Sequence, residues 1–518
     1  AGTRQNTGEP ARRNRRGVPA LEVETMPLGA RAGLILTAEL VLLAGLVAGW
    51  GLYPPLQAIL TNVFFGTVIN LTFIFALPTK WFQERCSCCG GGGPPQTEPT
   101  PREPLLTPET DQELGLPSSA SPPPQPQQPQ PLPRMPYIDN LRSVLTAVVV
   151  THHSLGTFAG GGWIIMIGGY RNVFSYIIAP LLQILDQMYF MSLFFFLAGL
   201  FTTPSLARKG TQVFLEDRFR RLGRPLLVYL YGIGPATNAI AALIKRQEVS
   251  YRADPGPCWF VFWLLLLSVS RAALGSFDAS LTIRPWTAVA LGIPLGLVQL
   301  ATCAWVQGYF ISMPVSFGSL PFDLLFFAAG CAAGASGAEW LETIEETFRR
   351  NGSRCARLLR AFNVTSALVL LTGLIINYVL LKKTVEAFMF EVPGMALFLF
   401  GLGGGLCVSL SLSALELSRR FLSGVTPAWR FFGDAAYTVY VIHPAVLVPV
   451  SGAAFRALEA LEGREFYFPP DGGPSPTPLR HGWALWAAFV FTFVATQAIT
   501  WPLGWAIAHA PGAKGVLR

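Results

Sequence analysis

The sequence predicts an all-α, polytopic membrane protein in which a ten-helix core is preceded by a two-helix hairpin. Three observations predict it. Hydrophobic residues make up 51% of the 518 positions and charged residues only 13%, with a mean hydropathy of +0.43; a soluble chain of this length could not cover that apolar content with polar surface. The apolar residues fall in runs of about 20, the length a helix needs to span a bilayer. Lysine and arginine are confined to alternate loops between these runs, which is how orientation is written into a polytopic chain.

The elements follow in order. Residues 1–32 are a basic tail carrying Arg4, Arg12, Arg13, Arg15 and Arg16. Apolar runs at 33–52 and 56–78 make the hairpin, and residues 79–134 are a Gly/Pro/Gln-rich linker. From Gly90 onward the linker runs through repeated Pro and Gln that cannot build a core, so it reads as disordered or polyproline-like, with a second reading as a dock for an SH3-like partner. The core, 135–518, holds spans at 141–160, 184–202, 225–244, 258–274, 286–306, 321–337, 362–381, 390–414, 433–454 and 483–509. No cleavable signal peptide is expected, because the polar leader is long and no small-residue site follows a short apolar region. No repeat of fixed period is visible, and an inverted repeat of the transporter kind stays open.

The formal charge of +8 with a pI near 9.1 is a signature of topology, and nucleic acid is excluded as a partner because no soluble domain carries the basic residues. With the amino terminus cytoplasmic, about 20 Lys/Arg of the core fall inside and about nine outside, as the positive-inside rule expects. Both termini are then cytoplasmic, and the expected location is the plasma membrane. The richest inside loops are 203–224, with Arg208, Lys209, Arg218, Arg220, Arg221 and Arg224, and 338–361, with Arg349, Arg350, Arg354, Arg357 and Arg360.

Eight cysteines divide into two groups. Cys258, Cys303, Cys331, Cys355 and Cys407 are scattered through spans or their edges and read as packing residues. Cys86, Cys88 and Cys89 follow a helix end near Lys80 and Arg85, where they are either palmitoylated or plain reduced thiols. Three thiols with no nearby histidine fall short of a zinc site, so no metal is expected.

The stretch from Tyr137 to Ser154, Tyr-Ile-Asp-Asn-Leu-Arg-Ser-Val-Leu-Thr-Ala-Val-Val-Val-Thr-His-His-Ser, places Asp139, Arg142, His152 and His153 in a membrane-spanning helix. An ionisable residue there costs about 2.5 kcal/mol or more and is a functional-site hypothesis by default. Eleven residues separate Arg142 from His153, which returns to within about 20° of the same direction and advances ~16 Å. The spacing predicts that both face one interior pocket, Arg142 at the membrane edge and His153 near mid-depth. His152 points roughly 100° away, a direction for packing or orienting.

That Arg-to-His spacing resembles the opening helix of the membrane acyltransferase-3 family, whose members acylate sugars. Four further pieces resemble the family in its own order: Phe-Met-Ser-Leu-Phe-Phe-Phe-Leu-Ala-Gly-Leu-Phe at 190–201, Asp-Arg-Phe-Arg-Arg-Leu-Gly-Arg-Pro at 217–225, Pro-Cys-Trp-Phe at 257–260 and Tyr-Thr-Val-Tyr-Val-Ile-His-Pro at 437–444. Any one is weak, and five in order are strong. After Trp259 the chain reads Phe-Val-Phe-Trp-Leu-Leu, without the acidic residue that O-antigen acetylase-type members carry there, and in this it looks more like the glucan succinyltransferase branch.

The resemblance implies an O-acyltransferase that moves an acetyl or succinyl group from cytoplasmic acyl-CoA, a co-substrate rather than a tightly bound cofactor, to a carbohydrate hydroxyl at or across the membrane. A sugar hydroxyl is too weak an acid to attack a thioester unaided, and histidine has the basicity to take its proton. His153 is therefore the candidate base, or alternatively a covalent acyl relay. Arg142, Arg218 and Arg221 are candidates to bind the phosphates of acyl-CoA in bidentate fashion; their plainer reading is as topology anchors and a positive-inside loop. Trp259, Tyr440, His443 and Asp186 are candidate substrate residues, against readings as an interface aromatic, structural hydrogen-bond partners and a water-facing acid. Asp139 either pairs with Arg142 or caps the helix start. A secondary transporter and an inactive membrane scaffold are the rival functions.

Overall fold

The computed structural model describes residues 135–517 apart from 160–163, 166–171, 252, 275–284, 306, 311–312, 317–319, 338–351, 383–384, 466–478 and 514–515. The basic tail, the 33–78 hairpin, the 79–134 linker and Cys86, Cys88 and Cys89 lie outside the described residues, as does the side chain of Cys303.

Each of the ten predicted core spans coincides with a helix. Helix α1 is Pro136–Gly156, and α2, Ala179–Lys209, is entered through a π-turn at Phe174–Ile178. Helix α3, Thr211–Ile244, contains π-turns at Phe219–Gly223 and Tyr229–Ile233. A 3-10 turn, Gly256–Cys258, leads into α4, Trp259–Ala273. Helices α5, Pro285–Trp305, and α6, Leu320–Ala335, flank an antiparallel hairpin of β1, Gln307–Phe310, and β2, Met313–Ser316. Then come α7, Gly352–Ile376, with a closing π-turn Asn377–Leu381, and the short α8, Val385–Glu391. Helices α9, Met395–Phe421, α10, Pro427–Glu462, and α11, Ala484–His509, complete the order. Among the described residues seven helices are long and apolar enough to cross a membrane, and the apolar stretches of α5 and α6 are shorter. Helix α1 falls outside that set, since Asp139, Arg142, His152 and His153 lower its hydropathy. The chain is an integral, multi-pass membrane protein.

Helix ends extend past the predicted spans. Helix α10 has 36 residues, or ~54 Å of rise against a hydrocarbon thickness near 30 Å. Hydropathy marks only the lipid-length part, whereas the helix itself starts where Thr426 accepts a hydrogen bond from the Trp429 N–H at 3.3 Å and stops at Gly463 with φ of 66°.

Helix α1 sits at the centre and packs on α2, α9, α10 and α11. Its Leu141, Leu145 and Val149 enter a core shared with Phe195 and Leu197 of α2 and Val261 of α4. Two polar residues pin it: Asn140 Nδ2 donates to the Leu422 and Gly424 carbonyls at 2.6 and 2.9 Å, and Gln497 Nε2 of α11 donates to the Ala147 carbonyl at 3.0 Å. Elsewhere small residues let backbones touch, the usual solution where lipid removes the hydrophobic drive between helices. A Cβ on Gly199 of α2 would collide with the Phe327 carbonyl of α6, and one on Gly330 of α6 with the Phe196 carbonyl. Gly292 and Gly296 of α5 meet the backbone of Gly404 and Phe400 of α9 in the same way.

Candidate active site

A cavity of about 870 Å³ lies between α1, α2, α3, α4 and α10 at the arginine-rich end of the bundle, within the size range of small-molecule pockets. Helix α1 contributes Asp139, Arg142 and Thr146, successive positions of one stripe; α2 and α3 contribute Arg208, Lys209, Asp217, Arg218 and Arg221. Phe194, Leu197, Phe260 and Leu264 supply apolar wall, and Asp434, Tyr437 and Tyr440 come from α10. Five cationic side chains thus face three carboxylates. Asp217 holds Lys209 Nζ at 2.7 Å and Arg221 Nε at 2.9 Å. Arg218 donates to Thr202 Oγ1 at 3.2 Å, stacks over Phe214 at 4.9 Å and lies within electrostatic reach of both Arg142 and Arg221. Like charges gathered in a partly enclosed, partly apolar cavity form a place that a polyanion stabilises.

Proline explains how α3 presents these arginines. In a regular helix the N–H of residue 225 would donate to the Arg221 carbonyl; Pro225 has no N–H and its ring crowds that carbonyl. The chain widens into the Phe219–Gly223 π-turn, and the Tyr437 hydroxyl donates to the Arg221 carbonyl at 2.9 Å. The second π-turn repeats the device, with Pro235 in place of the donor to the Tyr231 carbonyl and the Tyr251 hydroxyl supplying the bond at 2.9 Å.

Beyond the cavity the same stripe of α1 continues. Seven residues separate Thr146 from His153, again within about 20° and ~10.5 Å further along. His153 stacks on His443 with ring centroids 5.2 Å apart and planes 20° from parallel, and His152 stands edge-on to it at 5.4 Å and 82°. His443 is fully buried. Pro444 again lacks the N–H that would reach the Tyr440 carbonyl, and His443 Nδ1 lies 2.7 Å from that oxygen. A carbonyl only accepts, so Nδ1 carries the proton, and in the neutral ring Nε2 carries the lone pair.

The cavity lining brings together Arg142, Arg218, Arg221 and Tyr440 and leaves out His153, His443, Trp259 and Asp186. The expectation that Arg142 and His153 face one pocket is not met in this cavity, whose α1 lining ends at Thr146; Val149, 1% exposed, lies on the stripe between Thr146 and His153. Tyr440 lines the cavity, but its hydroxyl is committed to the Pro257 carbonyl. Trp259 packs edge-on to Phe260 against the core. Asp186 lies on α2 between Gln183, whose Nε2 approaches the His152 carbonyl at 3.5 Å, and Phe190, whose ring lies 5.2 Å from that of His152. Asp139 is not the cap of α1; the N-cap position is Met135, without a side-chain cap bond, and Asp139 interacts electrostatically with Arg142. His152 Nδ1 is buried with no hydrogen-bond partner among the described residues. Cys258, Cys331, Cys355 and Cys407 are buried free thiols, in keeping with packing roles.

The family model described as an acyltransferase domain, acyltransferase-3, matches residues 135–505. The chain belongs to the acyltransferase-3 family. It is a membrane acyltransferase, a transferase enzyme, and the match covers every candidate residue from Arg142 to His443. Comparison with curated proteins and with solved structures gives no significant match. Within this acyltransferase-3 chain, sequence reasoning missed Lys209, Asp217 and Tyr437 as cavity residues. The signal for Tyr437 was present: a proline four residues after Arg221 announces a carbonyl in need of a donor, although nothing in the sequence says which residue supplies it.

Proposed function

We propose that the protein moves an acetyl or succinyl group from cytoplasmic acyl-CoA to a carbohydrate hydroxyl at or across the membrane. The observation that carries this reading is the cationic cavity, whose α1 stripe of Asp139, Arg142 and Thr146 points along the helix to His153. Arg142, Arg218 and Arg221 bind the phosphates of the donor, whose pantetheine arm runs along the stripe past Val149. His153 takes the proton of the acceptor hydroxyl as its oxygen forms the ester bond, and the thioester C–S bond breaks with release of the CoA thiolate. His443, held by Nδ1, packs the His153 ring in place. Asp186 and Trp259 stand on the acceptor side. In this arrangement the arginine-rich end, both termini and the linker are cytoplasmic, residues 455–482 are outside, and the plasma membrane houses the enzyme.

The test uses the purified full chain in lipid nanodiscs, given acetyl-CoA or succinyl-CoA with and without glycan acceptors. Release of free thiol that depends on the acceptor, with a matching mass increase on the glycan, supports the reading. Thiol release that glycans never stimulate, or no turnover of either donor, overturns it. Detection of an acyl group on His153 by mass spectrometry at neutral pH before acceptor is added, lost on brief acid treatment as an acyl-imidazole is, would make that histidine a relay rather than a base.

A further inference from the structure

The five family-like motifs include Tyr437 at the head of the 437–444 element, and the reaction outlined above gives that residue no part. We propose that Tyr437 is a positioning residue for donor binding, acting through the Arg221 turn. This rests on the donor reading given under Proposed function.

Three observations converge on it. Arg218 lies at the border of the π-turn Phe219–Gly223 and Arg221 lies inside it, so the turn sets the direction in which both guanidinium groups leave α3. Pro225 removes the backbone donor that a regular helix would give the Arg221 carbonyl, and Tyr437 of α10 replaces it with a hydroxyl at 2.9 Å, across 216 residues of sequence. Tyr437 itself lines the cavity with its ring while its hydroxyl is turned to that carbonyl. Single π-turns inside helices are frequent at functional sites, and here the bond from a neighbouring helix holds the carbonyl of a residue whose side chain lines the cavity. Helix α10 also carries His443, so the bond ties the donor arginines to the helix that packs the candidate base.

The second π-turn provides an internal control. There Pro235 and Tyr251 repeat the same chemistry on the Tyr231 carbonyl, away from the cavity. A purely structural role for such tyrosines predicts equal consequences at both turns, whereas a positioning role predicts an effect on donor binding at the first alone.

The experiment measures free coenzyme A binding by titration calorimetry on the full chain in nanodiscs, for wild type, Tyr437→Phe, Tyr251→Phe, Pro225→Ala and the Pro225→Ala/Tyr437→Phe pair. The expected result is a weakening of about three- to tenfold for Tyr437→Phe, the range of one lost hydrogen bond, with Tyr251→Phe within about twofold of wild type. In the Pro225→Ala background, where residue 225 has its own N–H to offer, Tyr437→Phe should change affinity less than twofold, the coupling that a double-mutant cycle reads. If Tyr437→Phe alone fails to fold, rescue of folding in the paired variant reports the same substitution of one donor for another. Unchanged coenzyme A affinity in a folded Tyr437→Phe protein, an equal loss in Tyr251→Phe, or an undiminished effect in the Pro225→Ala background would each overturn the proposal. Wild-type protein that binds no coenzyme A would instead overturn the donor reading beneath it.

Discussion

His153 of α1 and His443 of α10 stack face to face, 5.2 Å between ring centroids and 20° from parallel, although 290 positions separate them in the chain. Their arrangement gives the two imidazoles unequal work. His443 is bound at Nδ1 by a carbonyl that Pro444 has left without a backbone donor, so its tautomer is fixed by the backbone beneath it. His153 sits on the stripe that runs from the arginines. In the proposed reaction one ring is a support and the other exchanges a proton with substrate, the division of labour an oriented general base requires.

His153→Ala is expected to lower acyl transfer at least about a hundredfold with expression and membrane insertion retained, since a positioned general base contributes 10²- to 10⁴-fold. His152→Ala should cost less than about tenfold, because that ring packs on Phe190, off the stripe. Thiol-release assays on membranes with matched protein levels check it, and full activity in the His153 variant would sink the mechanism.

The support role of His443 predicts a contrast between two substitutions. His443→Asn keeps an N–H near the Nδ1 position and should preserve thermal stability. His443→Leu leaves the buried Tyr440 carbonyl without that donor and should lose about 1–3 kcal/mol, read as a lowered melting temperature in detergent. Equal stability of the two variants would argue that the 2.7 Å contact contributes nothing.

Arg218→Ala with Arg221→Ala should weaken coenzyme A binding about ten- to a hundredfold, the loss of one or more charge-assisted phosphate contacts worth roughly 1.5–3 kcal/mol each. Wild-type affinity should also fall as salt is raised, and less so in the double variant. Unchanged affinity would return these arginines to setting topology alone.

Val149, 1% exposed, lies on the α1 stripe between Thr146 and His153, and in the proposed reaction the donor's thioester has to pass it. Val149→Phe should therefore leave coenzyme A affinity within about twofold while cutting transfer by tenfold or more, with up to about 3 kcal/mol lost to overpacking. Transfer at the wild-type rate in a folded Val149→Phe protein would show that the acyl group reaches its acceptor by another route.

Backbone contact at the glycine seams makes a stability prediction with a built-in comparison. Gly330→Leu or Gly404→Leu should prevent stable folding, because even the first carbon of the new side chain meets a neighbouring backbone. Gly232→Ala, where nothing lies within 4 Å of the added carbon, should be close to neutral. Size-exclusion profiles of the detergent-extracted proteins separate these outcomes, and a monodisperse Gly330→Leu protein would contradict the packing described.

What the sequence determined by itself is what local composition encodes. Apolar runs of lipid length fell on helices at each of the ten predicted core spans, and the arginine and histidine spacing on α1 marked the stripe that carries the candidate site, because both signals depend only on helical geometry and the solvent around it. The motifs around Arg218, Trp259 and His443 indicated the family for the same local reason. Tertiary structure alone decided which of these residues meet. It joined Arg142 to Arg218 and Arg221 across a cavity, left His153 outside that cavity's lining, paired His153 with His443, and packed Trp259 against the core. It also chose Tyr437 and Tyr251 as donors to the carbonyls that Pro225 and Pro235 leave open. A proline announces an unsatisfied carbonyl from sequence, but the group that satisfies it arrives from a distant helix, and only packing decides which side chain comes within hydrogen-bonding distance.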